Sequence, residues 1–390
     1  KKLDMPRPNE PLSITTANLE ALVGATPPGM VPCLKNEAGE WVPSQVDDLD
    51  GDGYWDEISF VMDFEANASK MITVEFIKPG EAPEFEQQTN IRLGKKEPGS
   101  NEFTELVREV RPPDHTKASP TANYQMEGPA WENDKVAFRL YFDPRNSRDI
   151  FGKVSGKMVL DSVGISGDYH EMQDWGMDIL KVGNSLGAGG VAMVNADTLV
   201  RLGKVENMEF QLVTEGPVRA TMRLSYLGWQ VGGNTFNVQE EITIWKGQDW
   251  YSSKIMLSEF TGEATLATGI VNLQSDSMVM ERYEPGYVAI ASHDQQSYKN
   301  EYLGMAILAS AESYAGHGQT SEANPQNDIT ETWYIKLKTA NSQPVSYRFY
   351  AGWEVADQNF NNPQYFLDML QKEARRLNSP VEMVKMEEES

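Results

Sequence analysis

The sequence predicts a mainly β protein, with broad antiparallel sheets packed as a sandwich and a helix at the C-terminus. Three observations predict it. Three long alternating runs follow one another between Val218 and Phe260, with Gly-containing turns between them. The first 92 residues break into short apolar runs separated by Gly, Asn and Asp clusters. A helical period follows residue 361, where Asn362-Pro363 offers an N-cap and a proline first turn.

In order, residues 1–92 are expected to form an N-terminal β region, its runs being Met30 to Leu34, Trp41 to Val46, Glu57 to Phe64 and Lys70 to Ile77. Residues 93–120 read as a connector, because Pro112 and Pro113 break any helix begun at Asn101. Residues 121–360 are the expected sandwich core. Within it Val218, Ala220, Met222, Leu224 and Tyr226 share one face, Gly232-Gly233-Asn234 turns the chain, and Phe236, Val238, Glu240, Ile242 and Ile244 return. Glu240 falls on an apolar face, either at a sheet end or facing a cleft. Residues 361–390 give a helix with Phe366, Leu370, Ala374 and Leu377 on one side, then an acidic tail.

Composition narrows the function. The 390 residues carry a formal charge of −24, so nucleic acid is a poor partner for the surface as a whole. No apolar run approaches the length of a bilayer span. A single cysteine, Cys33, rules out an internal disulfide and a cysteine zinc cluster, and its apolar neighbours predict a buried thiol. The chain opens on a polar, Pro-containing segment without a signal peptide, as a trimmed mature protein would.

Two stretches carry candidate chemistry. In DDLDGDGYWDE, Asp48, Asp50, Asp52 and Asp56 stand at relative positions 1, 3, 5 and 9, with Gly53 at 6. Alternate carboxylates can fold around one hard cation there, Ca2+ being the natural occupant. Position 12 is Ser59 instead of the EF-hand glutamate, and the flanks read as strands. The expectation is a structural calcium-type loop, with a metal-free Asp/Gly turn as the alternative. No organic cofactor is expected: there is no phosphate-binding loop, no GxSxG elbow and no HExxH.

The second stretch runs from Glu127 to Gly190. Between Lys135 and Lys157 lie six cations against two acids, a local excess of four in an acidic chain. Such an island suits capture of a carboxylate or sulfate. Arg145 or Arg148 could pair a carboxylate bidentately. His170, among Asp168, Tyr169, Glu171, Asp174 and Trp175, is the best proton carrier, since imidazole titrates near neutral pH. Tyr169, Tyr124, His115 and Lys181 are candidate partners. Trp131 and Trp175 could stack on sugar rings, and Asn184 with the run Gly187 to Gly190 permits close approach to a ligand. These needs match elimination beside a carboxylate: a cation to acidify the α-proton, a base to take it, an acid for the leaving oxygen.

At EGPAWENDKVAFRLYFDPRNSRDIFGK, YHEMQDWGMDILKVGNSLG, VDDLDGDGYWDE and EGPVRATMRLSY the chain resembles the family of unknown function numbered 4861, over nearly its whole length. The resemblance implies an exported, periplasmic protein with a galactose-mutarotase-like β-supersandwich, found in polysaccharide-utilisation loci. It implies carbohydrate work akin to that of dehydratases in ulvan breakdown, which remove water from a non-reducing-end uronate and leave a 4,5-unsaturated sugar. Arg145, His170 and Lys181 lie in matched motifs and carry over as catalytic candidates, and His115 lies in the matched DHT segment. A second histidine expected shortly after it is replaced by Lys117 and Ala118. The expected partner is an anionic oligosaccharide. The rival expectations are a glycoside hydrolase using Glu132 and Asp174, and a non-catalytic carbohydrate-binding protein.

Overall fold

The computed structural model describes residues 3–97, 99–100, 102–112, 115–116, 123–165, 167–320 and 328–386. Pro113, Asp114, Lys117, Ala118 and the last four residues of the acidic tail lie outside these. The fold class is as expected: mainly β, with large antiparallel sheets and a C-terminal helix.

The largest sheet has nine strands, in the order Val279–Tyr283, Tyr287–Asp294, Leu303–Ser310, Val345–Trp353, Trp250–Ser258, Asn234–Trp245, Arg219–Val231, Asn207–Thr214 and Arg108–Arg111. Its long central hairpin follows directly from the alternation in sequence. Val218, Ala220, Met222, Leu224 and Tyr226 are all fully buried on one face. The hairpin turns at Gly232 (φ 57°) and Gly233 (φ 83°), where Val231 pairs with Asn234. Two successive positive φ values suit glycine and match the twist of the strands.

Two five-stranded sheets cover the other side of this core. One is ordered Gly176–Asp178, Arg148–Lys153, Val136–Leu140, Ala130–Asn133, Thr89–Arg92. The other is ordered Thr198–Arg201, Ala188–Asn195, Glu263–Val271, Thr332–Ala340, Tyr314–Gln319. A bridge between Arg148 and Gly187 joins the two. Gly187 has φ 67°, and a Cβ there would sit 2.0 Å from the Arg148 carbonyl oxygen, so the seam needs glycine. One apolar cluster spans all three sheets, with Trp131, Phe138, Ile150, Val191, Leu266, Met222, Ile242 and Phe349 among its members.

The N-terminal region differs from a separate unit ending at residue 92. Its strands Arg7–Thr15, Glu57–Phe64 and Ser44–Asp47 form their own small sheet, and Val31–Lys35 pairs with Thr73–Ile77 around buried Cys33. Thr89–Arg92, however, belongs to a core sheet. The expected connector at 93–120 also carries strands: Gly94–Lys96 pairs with Phe103–Glu105, and Arg108–Arg111 edges the nine-stranded sheet. Arg219 ties the regions together through Asp47 and Glu57.

The C-terminal helix, Pro363–Leu377, starts as its sequence predicts, with the Asn362 side chain accepting from the Gln364 amide. Phe366, Leu370 and Ala374 are buried against Ala289, Ala291, Ala306, Leu308 and Tyr350, on the outer face of the nine-stranded sheet. Nearby, burial pushes the Asp249 carboxyl up to about 7; Lys135 opposes this, while Glu373, Asp357 and Asp134 add to it. The unfolded value is about 3.9. A raised acid binds its proton more tightly in the folded state, so it lowers stability as pH rises from about 4 to 7, and the full cost persists above that. Asp249→Asn is therefore expected to gain on the order of 1–3 kcal/mol at pH 8 and little at pH 4, read from denaturant midpoints at the two pH values. Equal effects at both would refute it.

Candidate active site

The candidate site lies on the face of the first five-stranded sheet that points away from the core. In Val136–Leu140, Val136, Phe138 and Leu140 enter the core, so Ala137 and Arg139 face the other way. That second face is covered by Val159, Leu160, Val163, Tyr169 and Trp175, and Arg139 is buried as well. Two side chains pin this covering segment. Glu132 accepts from the amides of Val159 (2.7 Å) and Leu160 (2.8 Å). Gln125 donates to the carbonyls of Leu160 (2.9 Å) and Val163 (2.8 Å). The chain then returns through Gly176, where a Cβ would sit 1.8 Å from the Gly152 carbonyl oxygen, and it carries Asp168, Tyr169 and His170 just before that return.

Arg139 organises the cluster. Its guanidinium donates to Asp149 (2.7 Å), Asp178 (2.9 Å), the Tyr141 hydroxyl (3.1 Å), the Tyr169 hydroxyl (3.1 Å) and the Met126 carbonyl (3.2 Å). Tyr141 donates in turn to Asp149 at 2.7 Å. Two carboxylates thus share one buried cation. Burial and the neighbouring Asp149 charge raise the Asp178 carboxyl well above the usual range, against the opposing pull of Arg139. Burial, reinforced by Asp149, also raises the Tyr141 phenol far above its ordinary value, which makes it a donor and a poor base.

His170 stands at the rim of the cluster with 43% of its side chain exposed. Its Nδ1 lies 2.9 Å from Asp168 and its Nε2 3.8 Å from Asp178. Bonds from the His170 amide and ring hold Asp168 below the usual carboxylate range. The Tyr169 and His170 rings are 4.5 Å apart. Arg145 completes the rim: its Nε and Nη2 grip Asp143 (3.0 and 2.5 Å), Nη2 also reaches Glu127 (2.6 Å), and its Cζ lies 4.0 Å from the centre of the Tyr141 ring. Among the described residues nothing accepts from Arg145 Nη1, and the side chain is 35% exposed. The surrounding backbone is strained, with non-glycine positive φ at Met126 (54°), Glu127 (64°) and Asn146 (44°).

The Arg139 network thus takes in Tyr169, with His170 beside it, and Arg145 packs on its Tyr141 ring; several other candidates lie elsewhere. Arg148 is buried in the inter-sheet core, ion-paired with Glu240 and donating to Tyr251 (2.9 Å) and Tyr347 (2.6 Å), so it cannot meet a substrate. Glu240 accordingly faces the core and not a cleft. Glu132 is fully buried on Lys153 (2.5 Å) and the two loop amides. Trp131 is a core ring stacked on Phe138 and edge-on to Tyr251. Trp175 is buried against Phe151 beneath the loop. Tyr124 donates to Glu109 and meets buried His115 edge-on at 5.4 Å, away from the Arg139 hydrogen-bond network. Asp174, Lys181 and Asn184 are exposed and lie outside that network; the Asn184 carbonyl accepts from Arg201.

The cationic island also dissolves. Arg139, Arg145, Arg148 and Lys153 are matched by Asp178, Glu127, Glu240 and Glu132, acids from outside the counted window. Counting neighbours in sequence overstated the charge. The residues that sequence reasoning passed over are Tyr141, Asp149, Asp178 and Arg139 as the hub. Arg139 and Tyr141 are two apart on one strand, and Arg139 pairs in register with Asp149 across the hairpin, a signal visible once the turn at 143–147 is placed.

In the calcium-type loop, carboxylate oxygens of Asp48, Asp50 and Asp56 lie within 4.8 Å of one another. Asp52 is outside this group and accepts from the Tyr54 amide instead (2.8 Å). Asp48 accepts from the amides of Gly51 and Gly53, which holds it below the usual carboxylate range and shapes the loop.

A β-sandwich of three large sheets, presenting an Arg/Tyr/His/Asp cluster on the outer face of one, is the class that fold and site define. A family model described as "Domain of unknown function (DUF4861)" matches residues 1–383, and the chain belongs to that family. It is 25% identical over 287 residues to "Uncharacterized protein P7" of Formosa agariphila, covering 65% of this chain and 66% of that protein, just under two thirds of its length. Solved structures that it resembles include an alpha-mannosidase from Enterococcus faecalis V583 (TM-score 0.48) and a glycosyl hydrolase family 38 protein from Enterococcus faecalis (TM-score 0.45). Both are 10% identical, and the chain spans 46% of each while 97% of it is covered. Among the described residues no helix is long and apolar enough to cross a membrane.

Proposed function

We propose that the protein is an exported carbohydrate-active dehydratase, eliminating water from the non-reducing-end uronate of an anionic oligosaccharide. The observation that carries this reading is the Tyr169–His170 pair at the rim of the Arg139 cluster. With Nδ1 donating to Asp168, His170 keeps a lone pair on Nε2 and can take the proton from C5 of the uronate. The C5–H electrons form the C4=C5 double bond and the C4–O bond breaks. Tyr169 accepts from Arg139 and has no acceptor for its own proton among the described residues, so it can protonate the departing oxygen as water. The open Nη1 of Arg145 is the donor available to the substrate carboxylate, whose neutralisation acidifies C5–H. Proton exchange with solvent then resets His170 and Tyr169. The hydrolase alternative loses support, because Glu132 is committed to Lys153 and the loop amides.

Ultraviolet absorbance of a conjugated uronate, followed with uronate-terminated oligosaccharides, tests the reading. Growth of absorbance without chain shortening is the expected result; no growth over a broad panel of such sugars would sink it.

We also propose that Asp48, Asp50 and Asp56 hold a hard cation that stabilises the N-terminal sheet. At free Ca2+ a hundredfold above its Kd, stability is expected to rise by about 2.7 kcal/mol. The rise should vanish in Asp48→Asn and on chelation. A melting temperature indifferent to Ca2+ and chelator alike would count against the site.

A further inference from the structure

Beside His170 stands an aromatic ring from a distant part of the chain. The loop between Tyr287–Asp294 and Leu303–Ser310 projects Tyr298, 43% exposed, so that its ring centre lies 5.8 Å from that of His170. The loop is firmly built. Gln296 is buried and donates to the Leu303 carbonyl (2.6 Å), and buried Ser297 bonds Glu301. The Tyr298 amide donates to the Ile179 carbonyl at 2.7 Å, one residue past the strand that supplies Asp178. Lys299 reaches across to Glu171 at 2.9 Å, linking the loop to the segment that carries His170. Tyr54, Tyr298 and Tyr365 are the exposed tyrosines among the described residues, and of these Tyr298 alone has a ring contact with a site residue.

We propose that Tyr298 is a stacking platform for the sugar next to the reacting uronate, making the site selective for oligosaccharides over single sugars. The inference rests on the dehydratase reading. An exposed aromatic face loses poorly held water when the C–H face of a pyranose covers it, and Tyr spends little conformational entropy because few torsions are frozen. The anchored backbone presents the ring in place, so binding needs no reordering of the loop. In this arrangement His170 acts on the first ring and Tyr298, its ring centre 5.8 Å from that of His170, takes the second.

Calorimetric titration with a uronate-terminated disaccharide and with a methyl uronoside tests this. Tyr298→Ala is expected to weaken the disaccharide about tenfold and leave the methyl uronoside unchanged. Tyr298→Trp should restore disaccharide affinity. In turnover the alanine variant should raise KM for the disaccharide at constant kcat, since the contact persists from ground state to transition state. Undiminished disaccharide binding by Tyr298→Ala, or an equal loss for both ligands, overturns the platform while the dehydratase reading stands. Wild-type protein that binds neither sugar overturns both.

Discussion

His170→Ala is expected to slow formation of the unsaturated uronate by about 10²- to 10⁴-fold, the usual worth of a positioned proton carrier. The fold should be untouched, because the ring is 43% exposed and its hydrogen bond is to exposed Asp168. Tyr169→Phe separates the two roles. It removes the proton offered to the leaving oxygen and also leaves one Arg139 N–H without its phenol acceptor. Its loss should shrink for substrates with a better leaving group at C4, whereas that of His170→Ala should not. If His170→Ala retains wild-type rates on every uronate tried, the assignment of the base fails.

The second large effect is one of stability. Arg148→Met is expected to destabilise the protein by about 3–5 kcal/mol, because Glu240 is left charged and uncompensated in the core. The double variant Arg148→Met/Glu240→Leu should recover most of this, since apolar replacement of a whole buried pair is often neutral or better. Denaturant midpoints of the two variants measure the difference. A double variant no better than the single one would mean that the tyrosine hydroxyls of Tyr251 and Tyr347, which both accept from Arg148, matter more than the charge.

What could be read from sequence follows the range of the physics involved. The alternation of Val218 to Tyr226, the Gly232-Gly233 turn and the Asn362 cap are local patterns, and all three appear in the structure. Arg108–Arg111 escaped notice because its residues, Arg, Glu, Val and Arg, lack the apolar face that marks a strand; partnership with Asn207–Thr214 makes it one. His170, Tyr169 and Arg145 drew attention in the sequence because they crowd one stretch of chain. Asp178 was not, because its meaning comes from Arg139, 39 residues away. Arg148 misled for the reverse reason: its acid, Glu240, is 92 residues distant, so its charge looked unspent. Tyr298 comes from further still and carries no local mark of a role.

The seam at Arg148 and Gly187 has a consequence for motion. The backbone of Arg148 bridges to Gly187 where the two five-stranded sheets meet, and its side chain crosses to Glu240 on the nine-stranded sheet, so one residue ties all three layers. Amides in the central strands of all three sheets should therefore exchange with deuterium through one common opening, at a single free energy equal to that of global unfolding. The small N-terminal sheet lies outside that seam, and its amides should exchange at a lower cost where the Arg219 pairs with Asp47 and Glu57 open first.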